Sequence, residues 1–177
     1  MGASLDGIKA VFLDLDGTIY LGGNLIPGAL EFLHRCDEQG VQRFFLSNNS
    51  SRSVTQYVKK LEGMGIPATA DDVLLSTHDC LAWLKKNNVT KTYCVGTEGM
   101  CKMLEAEGIA TRSLKPQYVV LGYDTETTYE KLETASLHLH AGVPLMASHP
   151  DMVCPSPDGG LPDVGAFLAL FKVTTGV

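Results

Sequence analysis

The chain has 177 residues and a mass of 19.0 kDa, long enough for one or two domains with a buried core. Hydrophobic residues make up 45% and charged residues 19%, which excludes a disordered chain, since such chains lack the apolar surface that offsets ordering entropy. With 14 Lys+Arg against 20 Asp+Glu, a formal charge of −6, broad electrostatic binding to nucleic acid is not expected. An acidic protein that handles anionic substrates then needs a local device, such as a metal ion or a cluster of backbone N–H groups.

Ile8 to Leu13 is an apolar run with β-branched residues and an aromatic, which predicts a buried strand. It stops at Asp14-Leu15-Asp16-Gly17-Thr18. Pro27-Gly28 opens a helix in which Ala29, Leu30, Leu33 and Cys36 share a face, and Gly40 is its stop. A second strand over Val41 to Leu46 ends in Ser47-Asn48-Asn49-Ser50-Ser51. Ser53 caps a helix with its stripe at Val54, Tyr57, Val58 and Leu61. Val73 to Leu75 is a third strand, and Thr77 to Lys86 a third helix.

The polar stretch Asn87 to Thr90 reads as a hinge, which divides the chain into residues 1–88 and 89–177. The second part repeats the alternation: strand Thr92 to Val95, helix Met100 to Glu107, strand Tyr118 to Leu121, helix Tyr129 to Ala141 and strand Pro144 to Ala147. Ser148 to Asp163, rich in Pro and Gly, reads as a loop, and Gly165 to Val173 as a last helix. Such alternation predicts an α/β fold with parallel strands. Right-handed crossovers set all strand C-terminal ends along one edge, where ligands bind in open α/β sheets.

The five cysteines, Cys36, Cys80, Cys94, Cys101 and Cys154, form no Cys-x-x-Cys pair, and an odd number argues for reduced core thiols over a disulfide framework or a zinc site. No apolar run approaches a membrane span. Met1 to Lys9 lacks a signal-peptide pattern, and Asp6 breaks the myristoylation match that Gly2 invites. The Asn-x-Ser/Thr matches at Asn48, Asn49 and Asn88 are then chance. A cytoplasmic protein is expected.

Asp14 and Asp16 place two carboxylates at one strand end, where each disfavours the other's charge. A hard divalent cation relieves this, and Mg²⁺ suits oxygen ligands shared with substrate phosphate. Beside a metal, one carboxylate can attack phosphorus, and the other can protonate the leaving oxygen and then activate water. Ser47 and Asn48 offer polar groups and N–H donors at the neighbouring strand end for phosphoryl oxygens. An Asp-Gly pair also suits a plain polar turn. That explains Gly17, but not two acids plus a second polar cluster one β-α-β unit later.

Val11 to Thr18 resembles the first motif of the haloacid dehalogenase superfamily, and Leu46 to Arg52 its second. Tyr20-Leu21-Gly22 and Ile26-Pro27-Gly28-Ala29 narrow the resemblance to the NagD-like and 4-nitrophenylphosphatase-like phosphatases. Gly122-Tyr123-Asp124, Ala147 to Asp151 and Gly165-Ala166-Phe167 resemble that group's cap. The resemblance implies a Rossmann-like core, represented by its N-terminal part over 1–88, and a C2-type α/β cap over 89–177. It implies a Mg²⁺-dependent phosphomonoester hydrolase acting on a small phosphorylated metabolite. Asp14 would be the nucleophile and Asp16 the acid–base residue. The metal would take the Asp14 side chain and the Asp16 backbone carbonyl. Ser47, Asn48 and Asn49 would form the phosphate-binding loop, and Tyr123, His149 and Cys154 would face substrate from the cap. A homodimer through the cap is expected, and neither nucleic acid nor membrane is an expected partner.

The family's third motif lysine and fourth motif Gly-Asp have no match here, and Lys172 sits in the last predicted helix. The reading is a first core half plus a cap, with exposed apolar sheet edges and little phosphatase activity for this polypeptide alone. Two other readings compete: a catalytically incompetent binding or assembly module, and a phosphotransferase or mutase on the same core.

Overall fold

The computed structural model describes residues 4–177. Met1 and Gly2, weighed above for processing signals, lie outside the described residues. The chain divides into two compact units, one made of residues up to Ser47 with Val54–Leu74 and Pro155–Gly159, the other of Asn48–Ser53, Leu75–Cys154 and Gly160–Val177.

In the first unit, strand β1 (Ala10–Asp14) is followed by a short hairpin, β2 (Tyr20–Leu21) and β3 (Asn24–Leu25), and by helix α1 (Ala29–Glu38). Strand β4 (Gln42–Ser47), helix α2 (Val54–Gly63) and strand β5 (Val73–Leu75) complete it. Helix α1 stops where the sequence places its stop. Gly40 has φ 66°, a value that favours glycine. It donates from its N–H to the Asp37 carbonyl at 3.1 Å, and Val41 donates to the Cys36 carbonyl at 2.8 Å. This bond pair satisfies the orphan carbonyls of the last turn, and the buried contact of Val41 with Cys36 accompanies it.

The sheet runs in the order β1-β4-β5, with β1 and β4 parallel. Side chains alternate between faces, so Phe12 and its register partner Phe44 share one face while Leu13 and Phe45 share the other. The Phe45 face is buried. On the opposite face Phe12 is 61% exposed and stacks on Phe44 with ring centroids 5.2 Å apart. Leu46 and Leu74 are also exposed. This face of the sheet is therefore apolar and open.

The second unit is built on a parallel sheet of order β6-β7-β8, with β6 at Thr92–Val95, β7 at Tyr118–Leu121 and β8 at Leu145–Ala147. Helix α3 (Ser76–Lys86) precedes the sheet, α4 (Glu98–Ala106) and α5 (Tyr129–His140) connect its strands, and α6 (Val164–Thr175) ends the chain. The strands are apolar at successive positions because both faces are covered. Cys94 and Val120 enter one core with Cys80, Leu84 and Leu104. Their strand neighbours Tyr93, Val95, Val119 and Leu121 enter the other, with Leu139 and Phe171.

The expected helices and strands are present, with shifts at their ends that local hydrogen bonds explain. Helix α4 starts before Met100 because the Thr97 side chain accepts from the Met100 N–H at 3.3 Å. Helix α6 starts at Val164, whose N–H is held by the Asp163 carboxylate at 2.7 Å. The segment Ser148 to Asp163, read as loop, contains an antiparallel pair, β9 (Val153–Cys154) and β10 (Leu161–Pro162). Two residues per strand leave too little alternation to read. Hairpin β2–β3 escapes notice for the same reason. The stretch Asn87 to Thr90 lies inside the second unit, where Val89 is buried and the Thr90 N–H donates to the Gln117 side chain at 2.9 Å. Among the described residues, no helix is long and apolar enough to cross a membrane.

One buried ion pair ties α5 to the strand ends. Lys131 Nζ lies 2.9 Å from Asp124 Oδ2, whose side chain is 0% exposed, and also donates to the Gly96 and Glu126 carbonyls. Lys131→Met leaves that carboxylate buried without its cation. The expected cost is about 3 kcal/mol, read as a lower urea midpoint with an unchanged slope.

Candidate functional site

Strand β1 delivers Asp14 at its last position, in register with Leu46 of β4. Parallel pairing therefore sets Ser47, one residue further on, at the same sheet end as Asp14. Beyond Asp14 the chain turns sharply around buried Leu15. Its carbonyl accepts the N–H groups of Thr18, Ile19 and Tyr20 at 3.2, 3.0 and 3.2 Å, and Gly17 donates to the Tyr20 carbonyl at 2.7 Å. Gly17 has φ 90°, which that turn requires.

Both carboxylates are held from nearby. Thr18 Oγ1 donates to Asp14 Oδ2 at 3.3 Å, and Tyr20 Oη to Asp16 Oδ2 at 3.4 Å. Lys60 Nζ of α2 lies 3.8 Å from Asp16 Oδ1 and 3.6 Å from the Tyr20 ring centroid. Asp14 is exposed and Asp16 half-buried. Ser47 is buried and shares a hydrogen bond of 3.1 Å with Tyr57 Oη. The first unit thus gathers Asp14, Asp16 and Ser47.

Lys60, Tyr20 and Tyr57 around these residues escape the sequence reading. Tyr57 appears there only as part of an apolar stripe, and nothing in the spacing of Lys60 aims it at Asp16. Asp14 and Asp16 supply hard oxygen donors of the kind Mg²⁺ takes, and that ion needs only one or two protein carboxylates beside water and phosphate. The residues present fit the ion. Among the described residues no cluster of three or more His, Cys, Asp or Glu is poised as a preformed metal cage.

The remaining predicted residues belong to the second unit. Asn48 is exposed, donates to the Asp151 carboxylate and accepts from Ser76 Oγ at 2.6 Å through its carbonyl. The Asn49 side chain accepts from the Ser51 N–H at 2.9 Å and from Ser51 Oγ at 2.6 Å, which closes the turn locally. Ser50, overlooked in the sequence except as part of the motif, is fully buried. Its Oγ accepts from the Tyr123 N–H at 2.8 Å and pairs with Ser148 Oγ at 3.0 Å. Thr97 Oγ1 donates to the Ser51 carbonyl at 2.9 Å.

Tyr123 and Cys154 are buried in the same apolar cluster as Phe171 and Leu139. His149 is buried too. Its Nδ1 lies 3.0 Å from Ser148 Oγ and its Nε2 3.0 Å from Asp163 Oδ1, the carboxylate that also caps α6. Adding a Cβ at Gly165 would bring it within 2.4 Å of the Pro150 carbonyl, so α6 and the loop carrying His149 and Asp151 meet backbone to backbone.

Ser50→Ala removes the acceptor of a buried N–H. The expected loss is about 1–3 kcal/mol of stability, measured by chemical unfolding, with Ser51→Ala near neutral by comparison because Ser51 is only half-buried.

The model of the haloacid dehalogenase-like hydrolase family matches residues 11–110. The chain is 34% identical over 171 residues to the acid sugar phosphatase of Staphylococcus saprophyticus, covering 96% of this chain and 66% of the relative. The 4-nitrophenylphosphatase of Thermotoga maritima superposes with a TM-score of 0.90 at 38% identity, over 98% of this chain and 67% of that one. A glycerol phosphate phosphatase of Mycobacterium tuberculosis, solved in complex with magnesium, superposes with a TM-score of 0.87 at 28% identity, over 96% of this chain and 52% of that one. The chain therefore spans 66% of the length of the curated relative. It shares the α/β fold of the NagD-like and 4-nitrophenylphosphatase structures, and with its first motif on β1 and its second after β4 it belongs to the haloacid dehalogenase-like hydrolases.

Proposed function

We propose that the protein hydrolyses a small phosphomonoester through a phospho-aspartate. The observation that carries this reading is the β1–β4 register, with Asp14 ending one strand and Ser47 ending its parallel neighbour. An Asp14 carboxylate oxygen attacks phosphorus, and the bond from phosphorus to the leaving oxygen breaks. Asp16 gives that oxygen its proton. In the second half, Asp16 takes a proton from water, the water oxygen attacks phosphorus, and cleavage of the acyl phosphate restores the Asp14 carboxylate. General acid–base help of this kind is worth about 10²–10⁴-fold.

Asp14 and the Asp16 backbone carbonyl would hold Mg²⁺, as would suit a site that gathers phosphate charge beside two acids. The bound ion supplies charge neutralisation for the phosphoryl group. Thr18 and Tyr20 orient the two carboxylates, and Lys60 adds positive charge beside Asp16. Ser47, Asn48 and Asn49 would bind phosphoryl oxygens. Residues 1–88 would represent the N-terminal part of the catalytic core and 89–177 the cap that selects the leaving group. The similarity to an acid sugar phosphatase supports a phosphorylated metabolite of sugar-phosphate size.

A second reading has its own support. The 177 residues hold neither a Gly-Lys-Pro nor a Gly-Asp-x-x-x-Thr-Asp sequence, so this polypeptide by itself would bind phosphate with little turnover. Beryllofluoride, a mimic of aspartyl phosphate, separates the outcomes by ¹⁹F NMR. Mg²⁺-dependent bound signals that vanish in Asp14→Asn are expected, with 4-nitrophenyl phosphate turnover staying low. Signals that persist in Asp14→Asn overturn the assignment of the nucleophile, and their absence from the unmutated chain overturns the phosphate site.

A further inference from the structure

Cys94 and Cys101 are two of the thiols that the hydrolase reading leaves without a task. Cys94 ends inside β6, and Cys101 sits on the first turns of α4, with the tight connection Gly96-Thr97 between the two elements. A Cβ on Gly96 would lie 3.0 Å from Cys94 Sγ, so only glycine lets the chain fold back closely enough to bring helix onto strand here. Both cysteines enter one apolar core, where each thiol perturbs the acidity of the other.

Their surroundings differ. Cys94 is fully buried. Cys101 lines a surface cavity of about 300 Å³ together with Arg112, Thr111, Glu105 and Lys131. Arg112 spans the pair: Nη1 donates to the Cys94 carbonyl, and Nη2 lies 3.9 Å from Cys101 Sγ. The Cys94 thiol, the Arg112 guanidinium and the Thr111 hydroxyl hold the Cys101 thiol below the usual range, against the opposing effects of burial and of Glu105. Hydrogen bonding to Cys101 and burial push Cys94 up. Burial pushes Cys80, in the same core, up to about 12. One sulfur thus lines a cavity beside a guanidinium, and the other is buried in the same core.

We propose that Cys101 and Cys94 form a peroxide-reactive dithiol, Cys101 being the sulfur attacked first and Cys94 the one that resolves it. The Cys101 thiolate attacks the outer oxygen of a hydroperoxide. The O–O bond breaks, the alkoxide or hydroxide leaves with a proton from solvent, and Cys101 becomes a sulfenic acid, oxidised by two electrons. Cys94 sulfur then attacks Cys101 sulfur, the S–O bond breaks, the Cys94 proton leaves with the hydroxyl as water, and the disulfide forms. Reaction at a thiolate of this kind follows its ionised fraction and its access, and the buried Cys36 and Cys80 serve as controls within the same chain.

Trypsin cuts after Lys91 and Lys102, so Cys94 and Cys101 fall in one peptide. The 177-residue chain is treated with stoichiometric hydrogen peroxide at neutral pH, labelled with N-ethylmaleimide and analysed by mass spectrometry. Expected is a peptide of residues 92–102 that carries no label, is two hydrogens lighter and regains both labels after reduction, while Cys36 and Cys80 remain labelled. Arg112→Gln is expected to slow labelling of Cys101 by about tenfold, as loss of one unit of acidity would, and in Cys94→Ser dimedone is expected to capture Cys101 as the sulfenic acid. A peptide that keeps both labels, oxidation spread equally over Cys36 and Cys80, or an Arg112→Gln chain that reacts as fast as the original overturns the proposal.

Discussion

The parallel register of β1 against β4 is the constraint on which the chemistry of the first unit depends. Asp14 lies opposite Leu46, and Ser47 follows at the same strand end. A slip of one residue would flip every side chain of β1 to the other face. Leu13 would then trade places with exposed Phe12, and Asp14 would lose its alignment with the second motif. The hydrophobic pattern that buries Phe45 is therefore also what positions the acid.

The turn after β1 shows the same economy. The Leu15 carbonyl gathers three N–H groups, which closes the turn between the two acids on itself. The carboxylates are then left for side-chain donors, Thr18 for Asp14 and Tyr20 for Asp16. In the second unit, several buried polar groups are paired. Ser50 serves the Tyr123 N–H, Asp163 serves both His149 and the start of α6, and Lys131 compensates Asp124. Unpaired, each would cost more than its bond contributes.

Cysteine chemistry in this chain is sorted by surroundings. Five buried thiols share a residue type and a burial class. At Cys101 a cavity, a guanidinium and a second thiol of the same core coincide. Spacing in the sequence puts Cys94 and Cys101 seven positions apart with no recognisable motif, and the sequence reading accordingly treated them as core residues.

Much was legible before any coordinates. Long apolar periodicities predicted the six helices and the main strands, because helix and strand periods leave distinct patterns. Glycine at position 40 marked a helix end for a conformational reason that the structure repeats. The acids after β1 and the Ser47-Asn48-Asn49 run announced themselves by residue type and order. The two-residue strands of the β2–β3 and β9–β10 hairpins were not legible, since two positions cannot display alternation. Neither was the placement of α3 in the second unit, because its apolar stripe says that it packs without saying against what.

The sequence by itself determined the element types, the strand-end positions of Asp14, Asp16 and Ser47, and the family to which they belong, since these follow from local patterns and short motifs. Only the tertiary structure decided that Lys60 meets Asp16, that Tyr57 holds Ser47, that Tyr123, His149 and Cys154 are engaged in packing and buried hydrogen bonds, and that Arg112 touches Cys101. Those contacts join residues far apart in the chain or on different elements. Their energies come from burial and close approach in three dimensions, which no local window of sequence encodes.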